Sequence, residues 1–148
     1  MTKSSFSSII AAFFLGLALA VIGTAIFMQG HVATALKAMD YSYIAAWEKT
    51  ANDAYQNESP QIASWALQRF IDLLTSRLQE AEGKYKVKIQ EYLVISYARS
   101  AQLAKQAANH VKYKKDMASA LKLAREVYPP AIATEEELIR FLDQKEAL

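Results

Sequence analysis

The sequence predicts an all-α protein, with a single N-terminal transmembrane helix followed by a four- to five-helix antiparallel bundle of helical hairpins. Residues 9–28 carry no charge and no proline. After residue 31, apolar side chains recur every three or four positions, which is the spacing of amphipathic helices. No segment alternates polar and apolar residues convincingly, so we expect essentially no sheet. We therefore divide the chain into a membrane anchor, 1–30, and an extramembrane helical domain, 31–148.

The apolar run near the N-terminus has the length of a membrane span. Nothing in residues 9–28 is more polar than Thr24, and no charged side chain occurs between Lys3 and Lys37. About 20 helical residues cross the roughly 30 Å hydrocarbon layer, whereas the apolar core of a signal peptide is usually about 7–15 residues long. Ala33 with Ala35, or Gly23 with Ala25, offers a signal peptidase site as an alternative, but the length of the run favours an uncleaved anchor.

The charges that flank the run predict its orientation. Lys3 and the terminal amine lie on its N-terminal side, and Lys37 alone lies near its C-terminal side. Positively charged flanks tend to stay in the cytoplasm. We therefore expect a single-pass protein of a bacterial inner membrane, with the N-terminus in the cytoplasm and the helical domain in the periplasm.

One side of the predicted membrane helix carries a small residue at every fourth position. Small side chains let a second helix approach closely, and van der Waals packing at short distance drives helix association in lipid. The alternative is that small residues are simply common in membrane helices. We predict that the stripe contacts a helix of another membrane subunit. Its residues are Ser8, Ala12, Gly16, Ala20 and Thr24.

The first two helices of the extramembrane domain follow from periodicity and caps. Ser59 and Pro60 are suited to the cap and first turn of a second helix over 60–82, and Gly83 is suited to a left-handed position at its end. Apolar residues cover more than one face of this second helix, so we expect it to be the most buried. A first helix over about 31–56 has one apolar stripe: Val32, Leu36, Met39, Tyr43, Trp47, Ala51 and Ala54.

Three further helices are predicted after Gly83. The third covers about 85–110 and has an alanine-rich face in its second half, which allows close helix contact. Polar residues from Asn109 to Lys115 indicate a turn or kink, and a fourth helix over about 116–128 ends before Pro129. Thr134 and Glu137 have the spacing of a capping box, which predicts a short fifth helix over 135–145.

The fourth predicted helix resembles the second helix of a tetratricopeptide repeat. Met117, Leu121, Ala124 and Pro129 have the spacing of that helix, and Tyr113 lies near the turn where the repeat often has an aromatic residue. The resemblance covers about 16 residues and implies a helical hairpin of similar construction, without assignment to the family and without any function. The preceding helix departs from the repeat's pattern at four positions: Ala101, Ala104, Lys105 and Ala108.

The net charge of +2 hides an uneven distribution. Residues 84–128 carry ten basic and three acidic side chains, a net +7, whereas residues 129–148 carry two and five, a net −3. We expect the basic block to contact anionic lipid or an acidic protein surface, with an ordinary solvated helix face as the alternative. Nucleic acid is not expected as a partner outside the cytoplasm. The predicted contact residues are Lys84, Lys86, Lys88, Lys112, Lys114 and Lys115.

The residue inventory offers little for catalysis. The chain has no cysteine, which excludes disulfides, thiolate metal sites and a cysteine nucleophile. His31 follows Met28 by one helical turn, so ligation of haem or copper is conceivable, but a polar residue at the membrane interface is the simpler interpretation. His110 lies in a basic segment and is expected to face solvent. We predict no catalytic residue, no cofactor and no metal.

These observations favour a membrane-anchored accessory or scaffold subunit of a larger membrane protein complex. The anchor would pack against partner helices, and the helical domain would dock on partner subunits. One alternative is an extracytoplasmic helical sensor or ligand-binding module, with a pocket lined by Trp47, Trp65 and nearby tyrosines. A membrane-anchored enzyme or a haem- or copper-binding protein is the third hypothesis, because no set of residues meets the usual requirements of an active site.

Overall fold

A computed structural model of the protein describes Thr24, Met28, His31 and residues 38–129 and 131–146. These residues form five helices and no strand, which confirms the all-α prediction for the described part of the chain. The chain divides into two units, Met1–Tyr43 and Ile44–Leu148. No helix within the described ranges is both long enough and apolar enough to cross a membrane. Most of the predicted anchor, and the domain boundary predicted at residue 30, lie outside the described residues.

The first helix, α1, is described from residue 38 to residue 57. Its predicted apolar stripe is wrong at Met39 and Tyr43, which are 69% and 50% exposed. From Ile44 onward, where the second unit begins, α1 buries Ala51 and Ala54 as predicted. Ile44 itself is also buried, one position after the exposed Tyr43. Among the described residues of the stripe, the buried ones therefore all lie in the second unit.

Helix α2, Pro60–Leu78, begins as its sequence predicts. The Ser59 hydroxyl accepts a hydrogen bond from the backbone amide of Ile62, and Pro60 occupies the first turn, where its missing N–H is not needed. The helix ends four residues earlier than predicted. Gly83 does have a left-handed φ of +54°, but it is the first residue of the next helix and lies beyond the turn that ends α2.

Helix α3, Gly83–Gln106, is the central element of the bundle. Ten of its 24 residues are buried, compared with six of 19 in α2. The prediction that α2 would be the most buried helix is wrong, because exposed Ile62 and Trp65 occupy part of its apolar surface. One side of α3 completes a core with α1 and α2, and another side completes a second core with the two helices that follow.

A tight turn joins α3 to α4, His110–Val127. The amide of Ala108 donates to the carbonyl of Lys105, and the amide of Asn109 donates to the carbonyl of Ala104, which is the Schellman pattern of helix termination. Ala108 occupies the left-handed position with φ +54°. The Asn109 side chain then caps α4 by accepting from the amide of Lys112. The predicted turn over Asn109 to Lys115 is therefore too long, since His110 already begins α4.

Helices α3 and α4 pack closely through small residues. Ala98 and Ala101 of α3 share a buried cluster with Ala120 and Ala124 of α4. All four are fully buried, which confirms the expected close contact along the alanine face. Among α2, α3, α4 and α5, this pair makes the most extensive contact, and it is the helical hairpin that the sequence predicted.

The C-terminal helix α5, Glu135–Glu146, closes the second core. Leu138 and Leu142 are buried against α3 and α4. The predicted capping box is confirmed: the Glu137 carboxylate accepts from the amides of Ala133 and Thr134, and the Thr134 hydroxyl accepts from the amide of Glu137. These backbone hydrogen bonds hold the pKa of Glu137 below its usual value.

Side-chain pairs define the directions of the helices. Asn52 pairs with Arg99 and Tyr55 with Gln102, so α1 runs parallel to α3. Gln90 pairs with Glu126 and Ser100 with Asp116 farther along, so α3 and α4 are antiparallel. The N-terminal turns of α2 accordingly lie beside the C-terminal turns of α3 and the start of α4.

The left-handed residue at the α3–α4 turn allows a stability test. An alanine in this conformation is strained by roughly 1–2 kcal/mol, so we expect Ala108→Gly to raise the free energy of unfolding by about 0.5–1 kcal/mol after the greater freedom of glycine in the unfolded chain is subtracted. Gly83→Ala is the reciprocal change: a Cβ there meets no atom within 4 Å, yet φ +54° should make the variant about 1 kcal/mol less stable. Urea denaturation of the full chain, followed by circular dichroism, measures both. Equal stabilities of Ala108→Gly and wild type would contradict the assignment of strain.

Candidate functional site

The predicted contact lysines form two groups at opposite ends of the α3–α4 hairpin. Lys84, Lys86 and Lys88 lie in the first turns of α3, whereas the other three lie in the first two turns of α4. At 1.5 Å per helical residue, the antiparallel arrangement separates the groups by roughly 25 Å. A single small anionic group therefore contacts one group of lysines at a time. The first group lies at the end of the bundle where the chain enters it through Ile44.

Two of these lysines form salt bridges within the protein. The Lys88 ammonium is 3.2 Å from the Glu91 carboxylate and 4.7 Å from the centre of the Tyr92 ring. The Lys112 ammonium lies 2.5 Å from an Asp116 carboxylate oxygen. Lys84, Lys86, Lys114 and Lys115 are exposed.

Lys112 belongs to a polar cluster in the α3–α4 interface. Its ammonium donates to the Ser100 hydroxyl at 2.8 Å and to the Asp116 carboxylate, and the Ser100 hydroxyl donates to that same carboxylate at 2.7 Å. Ser100 is fully buried and Asp116 is 4% exposed. A buried carboxylate is tolerated when donors of this kind satisfy it.

A serine beside a lysine also occurs in some hydrolases, where lysine activates the serine as a nucleophile. Here the Ser100 hydroxyl has no exposed surface through which a substrate could reach it. It also donates its proton to Asp116, so its geometry is that of a structural hydrogen bond. The cluster therefore fixes the register of α3 against α4.

A polar cavity of about 180 Å³ lies between α1, α2 and α3. Arg99, only 8% exposed, hydrogen-bonds to the Asn52 side chain and lies 5.0 Å from the centre of the Tyr55 ring. Glu48 lines the cavity from α1 and accepts a hydrogen bond from the Tyr92 hydroxyl. Burial, followed by this hydrogen bond, raises the pKa of Tyr92 to about 12. Charged groups of both signs thus line one recess.

The ligand-binding alternative predicts a pocket lined by Trp47, Trp65 and nearby tyrosines, and this cavity has a different lining. Trp47 packs against the first core, and Trp65 is 56% exposed with the Arg69 guanidinium 5.9 Å from its ring. Neither residue lines the cavity, whose walls come from other side chains of α1, α2 and α3. The sequence pattern did not indicate Arg99 as a buried residue, because arginine is ordinarily exposed.

A second recess, the end groove, opens at the end of the bundle opposite Ile44. Its volume is about 350 Å³, and it lies between the start of α2, the end of α3 and the start of α4. On the same two helices, three large apolar side chains are exposed: Ile62 by 49%, Trp65 by 56% and Val111 by 83%. The end groove is lined by Pro60, Gln61, Ser64, Leu103, Ala104, Ala107, Asn109 and Lys112.

A third recess of about 280 Å³ lies beside α5. Tyr128 and Phe141 line it, with ring centres 5.0 Å apart. Burial, with a smaller effect of the Glu91 charge, raises the pKa of Tyr128 to about 12.

The remaining predicted site residues are described only in part. Ser8, Ala12, Gly16 and Ala20 lie outside the described residues, and Thr24 is helical and exposed. Met28 and His31 are helical and exposed, and His110 is exposed at the start of α4 as expected. Among the described residues, no three His, Cys, Asp or Glu side chains are grouped so that they could hold a metal ion.

Comparisons with protein-family models, with characterised proteins and with solved structures find no significant match to this chain. The candidate sites are therefore defined by geometry alone: the polar cavity, the end groove and the recess beside α5. The end groove combines apolar lining residues of α2 and α3, among them Pro60, Leu103 and Ala104.

The structural role of Lys112 can be tested against its neighbour. Lys112→Met leaves the buried Asp116 carboxylate without its charged donor, so we expect a loss of about 2–3 kcal/mol in the free energy of unfolding. Lys114→Met removes the same charge from an exposed position and should change stability by less than about 0.5 kcal/mol. Urea denaturation compares the two. Similar stabilities of the two variants would show that the cluster contributes little.

The raised tyrosine pKa values predict a loss of stability at alkaline pH. The unfolded chain releases the phenolic protons near pH 10, whereas folded Tyr92 and Tyr128 retain them to about pH 12. The two protonated tyrosines therefore make their full contribution to the free energy of unfolding below pH 10, and this contribution is lost as the pH rises toward 12. Tyr92→Phe and Tyr128→Phe should each flatten the fall of the urea midpoint across this range. An unchanged slope in both variants would contradict the prediction, and Tyr41→Phe, at an exposed position, is the control.

Proposed function

We propose that the protein is a single-pass, membrane-anchored accessory or scaffold subunit of a larger membrane protein complex. The observation that carries the proposal is the uncharged, proline-free run at residues 9–28, which matches the thickness of a bilayer. The helical unit Ile44–Leu148 would be the part that docks on partner subunits. The expected location is a bacterial inner membrane, with this unit in the periplasm.

The geometry of the helical unit supports a binding role. In the grouping of serine, lysine and carboxylate described above, Ser100 and Asp116 are buried in the α3–α4 interface. By contrast, the end groove is open, and its lining includes the exposed apolar residues Pro60 and Ala107. Exposed apolar residues grouped around a recess are typical of surfaces that bind other proteins.

A second candidate function is a ligand-binding module, which the polar cavity favours. Arg99, Asn52 and Glu48 supply donors and acceptors suited to a small zwitterion or carboxylic acid. Such a ligand would raise the melting temperature of the wild type more than that of Arg99→Lys. An equal effect on both proteins would exclude this site.

Membrane insertion and orientation can be tested by thiol labelling, because the chain has no cysteine of its own. We expect Glu58→Cys to react with a membrane-impermeant maleimide in cells whose outer membrane has been permeabilised. Thr2→Cys should react only after the inner membrane is opened. Alkaline carbonate should leave the protein in the membrane pellet. Release by carbonate, or the reverse labelling pattern, would contradict the proposed anchor or its orientation respectively.

If the stripe of small residues contacts a partner helix, larger side chains in the stripe should weaken the association with that partner. Gly16→Leu with Ala20→Leu should prevent close approach of a partner helix and reduce copurification of the partner subunit by about tenfold. The matched control combines Phe14→Leu and Val21→Leu, which alter apolar residues outside the stripe. Native purification with quantitative mass spectrometry gives the readout. Equal recovery of membrane partners with both double variants would exclude a role for the stripe.

A further inference from the structure

We propose that the polar cavity binds a linear ω-amino acid, with its carboxylate at Arg99 and its ammonium at Glu48. In such a ligand about three or four methylene groups separate the two charged ends. This inference rests on the second candidate function, because it presupposes that the helical unit binds a small ligand. It adds the class of the ligand, its orientation and the contact made by a buried serine.

The cavity has a negative end and a positive end, both formed by α1 and α3. At one end, the Glu48 carboxylate accepts a hydrogen bond from the Tyr92 hydroxyl. At the other end, Asn52 and Arg99 hydrogen-bond to each other. Along the parallel helices the two ends are separated by one turn on α1 and by two turns on α3, or roughly 6–10 Å. A ligand that reaches both charged groups therefore carries its own charges at opposite ends of a chain.

Ser96 lies between the two ends on α3. It is 3% exposed and lines the cavity. Among the described residues, its hydroxyl has no hydrogen-bond partner. Ser96 precedes Arg99 by one helical turn, so a carboxylate bound by the guanidinium can accept from the Ser96 hydroxyl with its second oxygen. A buried polar group normally has a partner, and a ligand in the cavity supplies one.

Apolar side chains line the rest of the cavity. Leu67 and Phe70 come from α2 and are buried, and Ala51 of α1 is buried as well. Methylene groups of a ligand pack favourably against such a surface. The polar lining residues of α1 are partly exposed, so the cavity opens between α1 and α3 and is closed by α2. Its volume of about 180 Å³ holds roughly six water molecules or a ligand of similar size.

The charges near the cavity favour a ligand without net charge. Glu48 and Arg99 are the charged residues of its lining and have opposite signs. Outside the lining, the Lys88 ammonium lies 3.2 Å from the Glu91 carboxylate, so these two charges offset each other. A zwitterion supplies a group of opposite sign to each charged lining residue, whereas a simple acid or amine supplies only one. The exposed charges on the same part of α1 also have opposite signs: Lys49 and Asp53.

The test measures binding by isothermal titration calorimetry, with the full chain in micelles of an uncharged detergent. The probes are 4-aminobutyrate and 5-aminopentanoate. We expect at least one of them to bind with a dissociation constant of about 1 mM or below. The control ligands should bind at least about tenfold more weakly. Butyrate has no ammonium, butylamine has no carboxylate, and glycine has both charged groups on one carbon.

Matched variants locate the ligand on the protein. Glu48→Gln keeps an oxygen that can accept from the Tyr92 hydroxyl but removes the charge, so the ω-amino acid should bind about tenfold more weakly. Butyrate should bind this variant no more weakly than the wild type. Glu91→Gln removes the same charge beside Tyr92 but outside the cavity lining, and should change affinity by less than about twofold. Ser96→Ala should weaken binding by about threefold or more.

A change at the positive end gives a different pattern. Arg99→Lys keeps a cation but loses the planar fork of the guanidinium. We expect it to weaken binding of the ω-amino acid and of butyrate alike, by about tenfold. Circular dichroism melting curves check that each variant is folded. Because Arg99 is buried, the partly exposed Glu48 provides the test if Arg99→Lys does not fold.

Several results would overturn the inference. If glycine or butyrate bound as tightly as the ω-amino acids, the proposed orientation would be wrong, but the ligand-binding module would stand. Equal losses from Glu48→Gln and Glu91→Gln would mean binding by general charge attraction. If no ligand bound at about 10 mM, water alone would fill the cavity, and the second candidate function would fail as well. The labelling and extraction tests of the anchor are independent of all these results.

Discussion

Helix α3 is buried from two directions at once, and the packing of the whole helical unit depends on this arrangement. Toward α1 and α2 it presents large residues, including Ile89 and Leu93. Toward α4 and α5 it presents Val94, Ala98 and Ala101. The small residues bring α4 close enough for the Ser100 hydroxyl to reach the Asp116 carboxylate. Because both cores share one helix, a displacement of α3 would disturb each of them.

Different interactions hold α3 against its neighbours on its two sides. On the α4 side, a satisfied carboxylate and alanine packing fix the register, since sliding by one residue would separate Asp116 from the Ser100 hydroxyl of α3. On the α1 side, Arg99 and Asn52 hydrogen-bond to each other and line a cavity of about 180 Å³. The α1 side therefore has space for small molecules or water.

The parts of this fold that the sequence predicted are those governed by local chemistry. Ser59 with Pro60 and Thr134 with Glu137 marked helix starts correctly, because capping depends on residues only a few positions apart. The turn after α3 was placed less well, because Ala108 carries none of the usual preference for left-handed backbone. Its conformation is imposed by the hairpin as a whole.

The candidate sites were harder to predict for the same reason. The six lysines look like one basic block in the sequence, but a straight α3 carries the two groups to opposite ends of the hairpin. Lys112 looks like a surface residue, yet its ammonium completes a buried cluster. The end groove combines residues from α2, α3 and α4, so no continuous segment reveals it. Such features depend on which helices become neighbours.

The attachment of α5 has a consequence for the dynamics of the protein. This helix contacts α3 and α4 much less extensively than those two contact each other, and Leu138 and Leu142 are its two fully buried residues within the described part of the chain. Detaching it therefore exposes far less apolar surface than unfolding the bundle does. The amide hydrogens of α5 are expected to exchange with solvent through local opening, whereas those of α3 are expected to exchange only through global unfolding. In this respect the C-terminal helix is a separate cooperative unit within a single fold.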